Sequence, residues 1–119
     1  MLITILEPNF TFADQRGSLT QLVREGYKQV NVVESKAGAF RGGHYHKNNN
    51  EVFFVVSGEF KFTAENDSAK EEYIFKTGDM FLVPPYVVHG FDYTSDTLLV
   101  SLYDVGVENA DGTKDIYAV

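Results

Sequence analysis

The 119-residue chain contains no cysteine and no tryptophan, and only three prolines and three histidines. Without cysteine, the chain forms neither a disulfide framework nor a thiolate metal site. It has no apolar run long enough to span a bilayer, and its first residues lack the basic region of a signal peptide, so we expect a cytoplasmic protein. No stretch of ten or more residues shows clean helical periodicity, which argues against a helical fold.

Positive charge is also scarce. The chain has 17 acidic and 10 basic side chains, and its net charge of −7 argues against nucleic-acid binding. The three arginines are Arg16, Arg24 and Arg41, all in the first half of the chain. If the protein binds an anion, its charge partners are expected there.

What the sequence does contain is a series of short apolar segments separated by turn residues, with enough hydrophobic content, 44%, to build a core. This pattern predicts an all-β sandwich or barrel, organised as one domain over residues 1–119. The predicted strands are Leu2–Leu6, Ser18–Val23, Gln29–Glu34, Phe40–His46, Glu51–Ser57, Glu59–Ala64, Glu71–Lys76, Met80–Val83, Val87–Tyr93, Thr97–Val105 and Ile116–Val119.

Glycine marks several of the predicted connections. Asp14–Gly17 is predicted to be a turn, and Ser57-Gly58 a hairpin turn. The Gly42-Gly43 pair predicts a bulge or a close backbone approach. Most of six phenylalanines are expected to pack in the core, namely Phe53, Phe54, Phe60, Phe62, Phe75 and Phe81.

All three histidines are candidates for one site. His44 and His46 are two residues apart, so on a strand they point to the same face. Glu51 has an odd offset from them, but a loop over residues 47–50 lets the next strand run back and aim Glu51 at the same point. His89 comes from a distant strand. Three imidazoles and a carboxylate suit Zn, Fe(II), Mn or Ni.

The spacing of glycine and proline around these residues resembles the two motifs of the cupin superfamily. The first motif is matched at every fixed position, by Gly38, His44, His46, Glu51 and Gly58. The second is matched by Gly78, Pro84 and His89, whereas Tyr86 and Tyr93 replace its usual glycine and asparagine. The resemblance implies a double-stranded β-helix jelly roll. It also implies that the metal ligands are His44, His46, Glu51 and His89.

Three further segments narrow the resemblance to particular kinds of cupin. Asp14–Leu19 and Arg41–Lys47 look like the cupins that act on nucleotide-linked keto sugars, the dTDP-sugar 3,4-ketoisomerases and 3,5-epimerases. Gln29–Val32 is similar to the cupin domain appended to capsular-polysaccharide sugar reductases, a zinc-dependent epimerase-type module. The ketoisomerases work without metal and typically have no acid where this chain has Glu51. The resemblance therefore favours a metal, with Zn expected and Fe, Mn or Ni as alternatives.

By this resemblance the function is isomerisation or epimerisation of a nucleotide-linked 4-keto-6-deoxy sugar in surface polysaccharide biosynthesis. A base must remove the acidified proton at C3, next to the carbonyl, and an acid must return a proton. Without metal, His44 or His46 is the expected base. With metal bound the base must come from elsewhere, and the candidates are Tyr45, Lys47 and Tyr86.

The remaining expectations concern the substrate and the partner. Arg16 and Arg41 are the candidates to hold the pyrophosphate. The turn that contains Arg16 matches a segment whose arginine contacts substrate phosphate in the epimerases, and Arg41 lies on a strand three residues before His44, near the mouth of the site. A homodimer is expected, with the N-terminal strand Leu2–Leu6 as a candidate for exchange between subunits. Two other functions stay open: a cupin that only binds a sugar or small acid, and an iron-dependent cupin dioxygenase.

Overall fold

The computed structural model describes residues 1–119 and contains only β-strands. The strands are β1 (Thr4–Leu6), β2 (Phe10–Asp14), β3 (Gly17–Gln21), β4 (Gln29–Ser35), β5 (Phe40–Tyr45), β6 (Glu51–Ser57), β7 (Glu59–Glu65), β8 (Lys70–Lys76), β9 (Met80–Val83), β10 (Val88–Tyr93), β11 (Thr97–Tyr103) and β12 (Tyr117–Ala118). Every predicted strand has a counterpart here, and β2 is an additional one. No segment is a helix of the length and apolarity needed to cross a membrane.

Two five-stranded antiparallel sheets pack face to face, which confirms the predicted jelly roll. Sheet I has the order β1-β9-β6-β11-β4, and sheet II the order β12-β5-β10-β7-β8. The side chains on the inner faces of the two sheets form one core that is rich in phenylalanine. Its buried members are Ile3, Phe53, Val55, Phe60, Phe62, Ala64, Phe75, Phe81, Val83, Val87, Phe91, Tyr93 and Leu99.

The sequence of the central strand β6 is almost wholly apolar because both of its faces are buried. Phe53 and Val55 point into the core, whereas Val52 is fully buried on the outer face of sheet I. There it packs in a smaller cluster with Met80 and Leu102. The core prediction for the six phenylalanines is confirmed for five, because Phe54 instead lies half-buried in this outer cluster.

The predicted hairpin turn at Ser57-Gly58 is wrong. β6 belongs to sheet I and β7 to sheet II, so the chain crosses from one sheet to the other at this point. Gly58 has a φ of +112°, and a Cβ there would lie 2.4 Å from Thr97 Oγ1. Gly58 is needed because the chain turns a tight corner against β11 here. A hairpin turn also favours a Ser-Gly pair, so the local sequence does not distinguish the two cases.

The first strands lie at the margin of the sandwich. β1 pairs with β9 and forms the edge of sheet I in its own chain. β2 and β3 pair only with each other as a separate hairpin, whose register confirms the predicted Asp14–Gly17 turn. Its strand residues are mostly exposed, including the large apolar side chains Phe10, Phe12 and Leu19.

Candidate active site

The pairing of β5 with β10 sets His44 and His89 opposite each other, because these two residues are cross-strand partners. The register shifts between His89 and Gly90, which confirms the predicted irregularity at Gly42-Gly43. Gly42 has a φ of +107°, and a Cβ there would lie 2.5 Å from the His89 backbone oxygen. Glycine therefore allows the backbone of β5 to approach the backbone of β10 beside the site.

The three histidines converge on one point. One ring nitrogen from each of His44, His46 and His89 lies within 4.8 Å of the other two. The ring centroid of His44 is 5.3 Å from that of His46 and 4.8 Å from that of His89. His46 and His89 are buried, whereas His44 is half-buried. The cluster therefore has a buried side and one imidazole that is open to solvent.

Backbone carbonyls fix the orientation of the two buried rings. His46 Nδ1 lies 2.6 Å from the Asp115 backbone oxygen, and His89 Nδ1 lies 3.0 Å from the Val87 backbone oxygen. A carbonyl oxygen only accepts hydrogen bonds, so both Nδ1 atoms carry a proton and donate. Each ring is left with Nε2 as the nitrogen directed at the centre of the cluster.

Glu51 completes the cluster from sheet I. Its Oε1 lies 3.0 Å from His46 Nε2, and its Oε2 accepts a 2.6 Å hydrogen bond from Ser101 Oγ. His89 Nε2 is 3.4 Å from the same Oε1 but makes no hydrogen bond. The loop between β5 and β6 thus aims Glu51 at the histidines, as its position in the sequence predicted.

The protonation states within the cluster follow from this geometry. Burial alone would raise the pKa of Glu51, but the His46 hydrogen bond, the proximity of His89 and the Ser101 hydroxyl outweigh it and lower this pKa to about 2. Burial opposes protonation of His46, yet Glu51 and the Asp115 carbonyl raise its pKa. His46 and Glu51 therefore form a buried imidazolium–carboxylate pair.

The pKa of His44 is shifted in the opposite direction from that of His46. Burial, followed by the neighbouring imidazoles of His89 and His46, lowers the pKa of His44 to about 4. Its ring makes no side-chain hydrogen bond to the rest of the chain. His44 is therefore a neutral imidazole at physiological pH, and its lone pair is available to a ligand.

This donor set fits a divalent metal. The two buried rings are held through Nδ1, as in metal centres where a second group orients each imidazole. His89 Nε2 is buried without a hydrogen-bond partner, and in this tautomer it is a lone-pair donor. Three such nitrogens with a neighbouring carboxylate suit Zn or Fe(II). Metal and proton compete for His46 Nε2, because the same nitrogen now donates to Glu51.

A cavity of about 450 Å³ opens onto the cluster between the two sheets. His44, Glu51 and His89 line it, whereas His46 does not. Arg41 also lines the cavity, and its guanidinium is steadied by Ser35 Oγ at 2.8 Å from Nε. A second contact joins that guanidinium to the Glu34 carbonyl at 3.2 Å. The remaining N–H groups of Arg41 are the cationic donors beside this cavity.

The comparison with protein families decides the identity of the fold. The family described as "Cupin domain" matches residues 31–106, which include all three histidines and Glu51. The chain is a cupin. A search of curated proteins returned no match.

Solved structures resemble this cupin over most of its length. QdtA, a sugar 3,4-ketoisomerase from Thermoanaerobacterium thermosaccharolyticum in complex with TDP, is 21% identical with a TM-score of 0.74, over 87% of this chain and 80% of that chain. The dTDP-4-dehydrorhamnose 3,5-epimerase from Sulfolobus tokodaii is 22% identical with a TM-score of 0.74, over 87% and 70%. These two likenesses establish the fold.

A third solved structure is the capsular polysaccharide assembling protein CapF from Staphylococcus aureus. It is 25% identical with a TM-score of 0.68, and the match covers 92% of this cupin but 32% of CapF. The cupin therefore spans about a third of the length of that protein.

Three of the candidate catalytic residues lie elsewhere in this cupin. Tyr45 points away from His44 and His46 because neighbouring strand residues alternate between faces, and it stacks on Tyr86. Lys47 Nζ lies 4.1 Å above the ring of Tyr117. None of these side chains lines the cavity with the histidines.

Arg16 is also separate from the cavity. It occupies the turn of the β2–β3 hairpin, and its guanidinium pairs with Asp14 at 2.6 Å. The Arg16 side chain is 79% exposed. Within one chain, Arg41 is therefore the arginine that the fold brings beside the histidine cluster.

Several residues that position the site were not predicted. The Asp115 carboxylate is fully buried and accepts hydrogen bonds from the backbone of Lys47 and Asn48 and from the side chain of Asn49. Tyr103 packs its ring edge against His46, with centroids 5.4 Å apart. Nothing in the local sequence marks these roles, because the contacts join segments that are far apart in the chain.

Proposed function

We propose that this cupin is a nucleotide-sugar isomerase or epimerase acting on a 4-keto-6-deoxyhexose. The observation that carries the proposal is that His44, a neutral imidazole, lines the cavity together with Glu51 and His89. A neutral imidazole whose lone pair faces a cavity is suited to remove a proton next to a carbonyl. The likeness to ketoisomerase and epimerase structures supports this reaction class.

His44 is the residue that moves the proton in the metal-free centre. His46 is less suited because both of its ring nitrogens are hydrogen-bonded and it does not line the cavity. His44 takes the proton from the carbon beside the carbonyl, and the electron pair moves to give an enolate oxygen. Once it has taken the proton, His44 is itself a cation in the cavity, and that charge stabilises the enolate oxygen. For isomerisation, His44 returns this proton to C4 and the 3-hydroxyl proton passes to the oxygen on C4, so the keto group moves to C3 without net consumption of acid or base.

A divalent metal belongs to the same proposal. His44, His46 and His89 would hold it, with Glu51 beside them, and Zn is the ion we expect. When bound, a metal supplies Lewis-acid polarisation of the keto oxygen. A histidine whose lone pair is on a metal cannot take a proton, so metal content determines which role His44 has.

Arg41 is proposed to bind the diphosphate of the nucleotide sugar. It lines the cavity, and two contacts hold its guanidinium in place. A fixed guanidinium matches phosphate oxygens in charge and shape. The likeness to part of CapF, a capsular polysaccharide assembling protein, supports our proposal that the reaction belongs to the assembly of a surface polysaccharide.

Deuterium exchange tests the proposed reaction. The protein is incubated in deuterium oxide with dTDP- or UDP-4-keto-6-deoxyglucose, and the C3 proton is followed by NMR. We expect exchange that His44→Gln slows by about 100-fold or more. Arg41→Gln should weaken substrate affinity by about tenfold or more, whereas the matched control Arg24→Gln, exposed and outside the cavity, should not. No exchange with either nucleotide sugar would refute the proposal.

A further inference from the structure

Three tyrosine rings form a stacked row on the face of sheet II that points away from the histidines. Tyr45 lies in the middle, with its ring centroid 6.1 Å from that of Tyr86 and 5.5 Å from that of Tyr117. The two planes in each pair differ by 28°. Tyr45 and Tyr117 are cross-strand partners on β5 and β12, so the sheet itself fixes two of the three rings.

Tyr86 holds its place in this row with a strained backbone. Its φ is +67°, and all other residues with positive φ in the chain are glycines. A side chain in this left-handed region carries a steric cost. The residue is 61% exposed, so burial of the ring does not offset that cost. Strain kept at an exposed aromatic residue points to a function for the ring.

The row borders a concavity of about 710 Å³ that none of the three histidines lines. Tyr45 and Tyr86 form one side of it, whereas Glu65, Asp67 and Ser68 stand on the other. The concavity therefore joins an aromatic surface to carboxylate and hydroxyl groups. A binding site of this kind takes a ligand with an apolar face and several hydrogen-bond donors.

We propose that this concavity is a second binding site, for an uncharged pyranose unit of an oligosaccharide. The C–H face of the sugar ring packs on Tyr86, and its hydroxyls donate to the carboxylates of Glu65 and Asp67. The site is distinct from the histidine cavity and does not depend on the reaction proposed there.

The charge and shape of the concavity select this ligand class. Two carboxylates repel phosphate, so a nucleotide or phosphosugar is disfavoured. A small quaternary ammonium ion is better held where several ring faces converge on a point. Here the rings are stacked on one another, so a single ring face is free on this side of the row, that of Tyr86, and it borders a space far larger than an ammonium group.

Saturation-transfer NMR with four neutral probes, cellotetraose, maltotetraose, chitotetraose and mannotetraose, tests the proposal on the full chain. We expect at least one probe to bind, with the strongest transfer to its C–H protons. Tyr86→Gly should abolish binding and leave the melting temperature unchanged or higher, because glycine accepts this φ without strain. Tyr86→Phe keeps the ring and should keep binding.

The role of the carboxylates is tested with a matched pair of glutamate variants. Glu65→Ala should weaken probe binding by about tenfold, since hydrogen bonds to a charged group are lost. Glu72→Ala, an exposed glutamate of β8 outside the concavity, should not. The proposal is overturned if no probe binds, if binding survives Tyr86→Gly, or if tetramethylammonium binds there and the sugars do not. Deuterium exchange at the histidine cavity is a separate readout, so either proposal can fail alone.

Discussion

His46 Nδ1 donates to the backbone carbonyl of Asp115 at 2.6 Å, a hydrogen bond between residues 69 positions apart. The carboxylate of the same Asp115 accepts from the backbone of Lys47 and Asn48, the two residues that follow His46. One residue of the C-terminal segment thus fixes both the ring of His46 and the loop that leads to Glu51. The geometry of the candidate site therefore depends on a segment that contributes no side chain to the histidine cluster.

Replacing the Asp115 carboxylate should therefore disturb both stability and the site. In Asp115→Asn an amide N–H₂ must face N–H donors, and we expect a loss of about 2–3 kcal/mol in the free energy of unfolding, measured with urea. Asp111→Asn is the matched control, since Asp111 lies in the same segment but is exposed. Equal stability of the two variants would show that the buried carboxylate does not hold the loop.

Glu51 should govern metal affinity. Glu51→Gln removes the charge beside His46 and His89, and we expect zinc affinity to fall by about 10- to 100-fold in a competition titration with a chromophoric chelator. Ser101→Ala leaves Glu51 Oε2 without its hydrogen bond and should have a smaller effect in the same direction. Zinc affinity unchanged in Glu51→Gln would remove Glu51 from the metal centre.

His44 should titrate far below its ordinary value in the metal-free protein. NMR of the chelated protein is expected to give a pKa of about 4 for His44. A folded-state pKa below the unfolded value of 6.5 means that its contribution to stability is complete above pH 6.5 and is lost as pH falls towards 4. The stability difference between wild type and His44→Gln should change over that window, whereas titration of His44 near 6.5 would contradict this account.

Replacing Gly42 with alanine should destabilise the protein more than replacing Gly43. Both residues have positive φ, but an added Cβ meets the His89 backbone oxygen only at Gly42. Gly43→Ala should cost about 1–2 kcal/mol from backbone strain alone. Gly42→Ala should cost clearly more, about 3 kcal/mol or above, and should also weaken zinc binding by moving β5 away from β10. Similar costs for the two variants would contradict the close approach.

The homodimer stays a prediction, and the β2–β3 hairpin offers a way to test it. Phe10, Phe12 and Leu19 expose about half of their surface there, an apolar patch of the kind that a second chain covers. Light scattering should give twice the 13.4 kDa chain mass, and Phe12→Asp should lower it. A monomeric mass for the wild type would contradict this prediction.

The sequence predicts most strands and the four central side chains because both signals are local. Alternating apolar residues and turn residues mark strands such as β6, and the motif spacing around His44 and His89 marks the cluster. The hairpin strand β2 was missed although Phe10 and Phe12 alternate with Thr11 and Ala13, a pattern that favours a strand. The corner at Gly58 was mistaken for a hairpin, since the local turn chemistry is the same in both cases.

The residues that hold the site in place were not predictable in the same way. Asp115 acts through hydrogen bonds to residues 66 to 69 positions away, and no periodicity or motif links such segments. The outward position of Tyr45 was foreseeable from strand alternation. Its stacking with Tyr86 and Tyr117 depends on the β9–β10 loop and the last strand, which only the folded chain brings together.

The most direct test of the central claim is deuterium incorporation at C3 of a nucleotide-linked 4-keto-6-deoxyhexose, measured by NMR on protein of known metal content. The claim that the histidine cavity catalyses proton transfer next to a carbonyl predicts incorporation by the wild type and its loss in His44→Gln. Parallel samples, chelated and zinc-loaded, show whether the metal is needed. Wild-type protein that leaves C3 fully protonated in both states would contradict the claim.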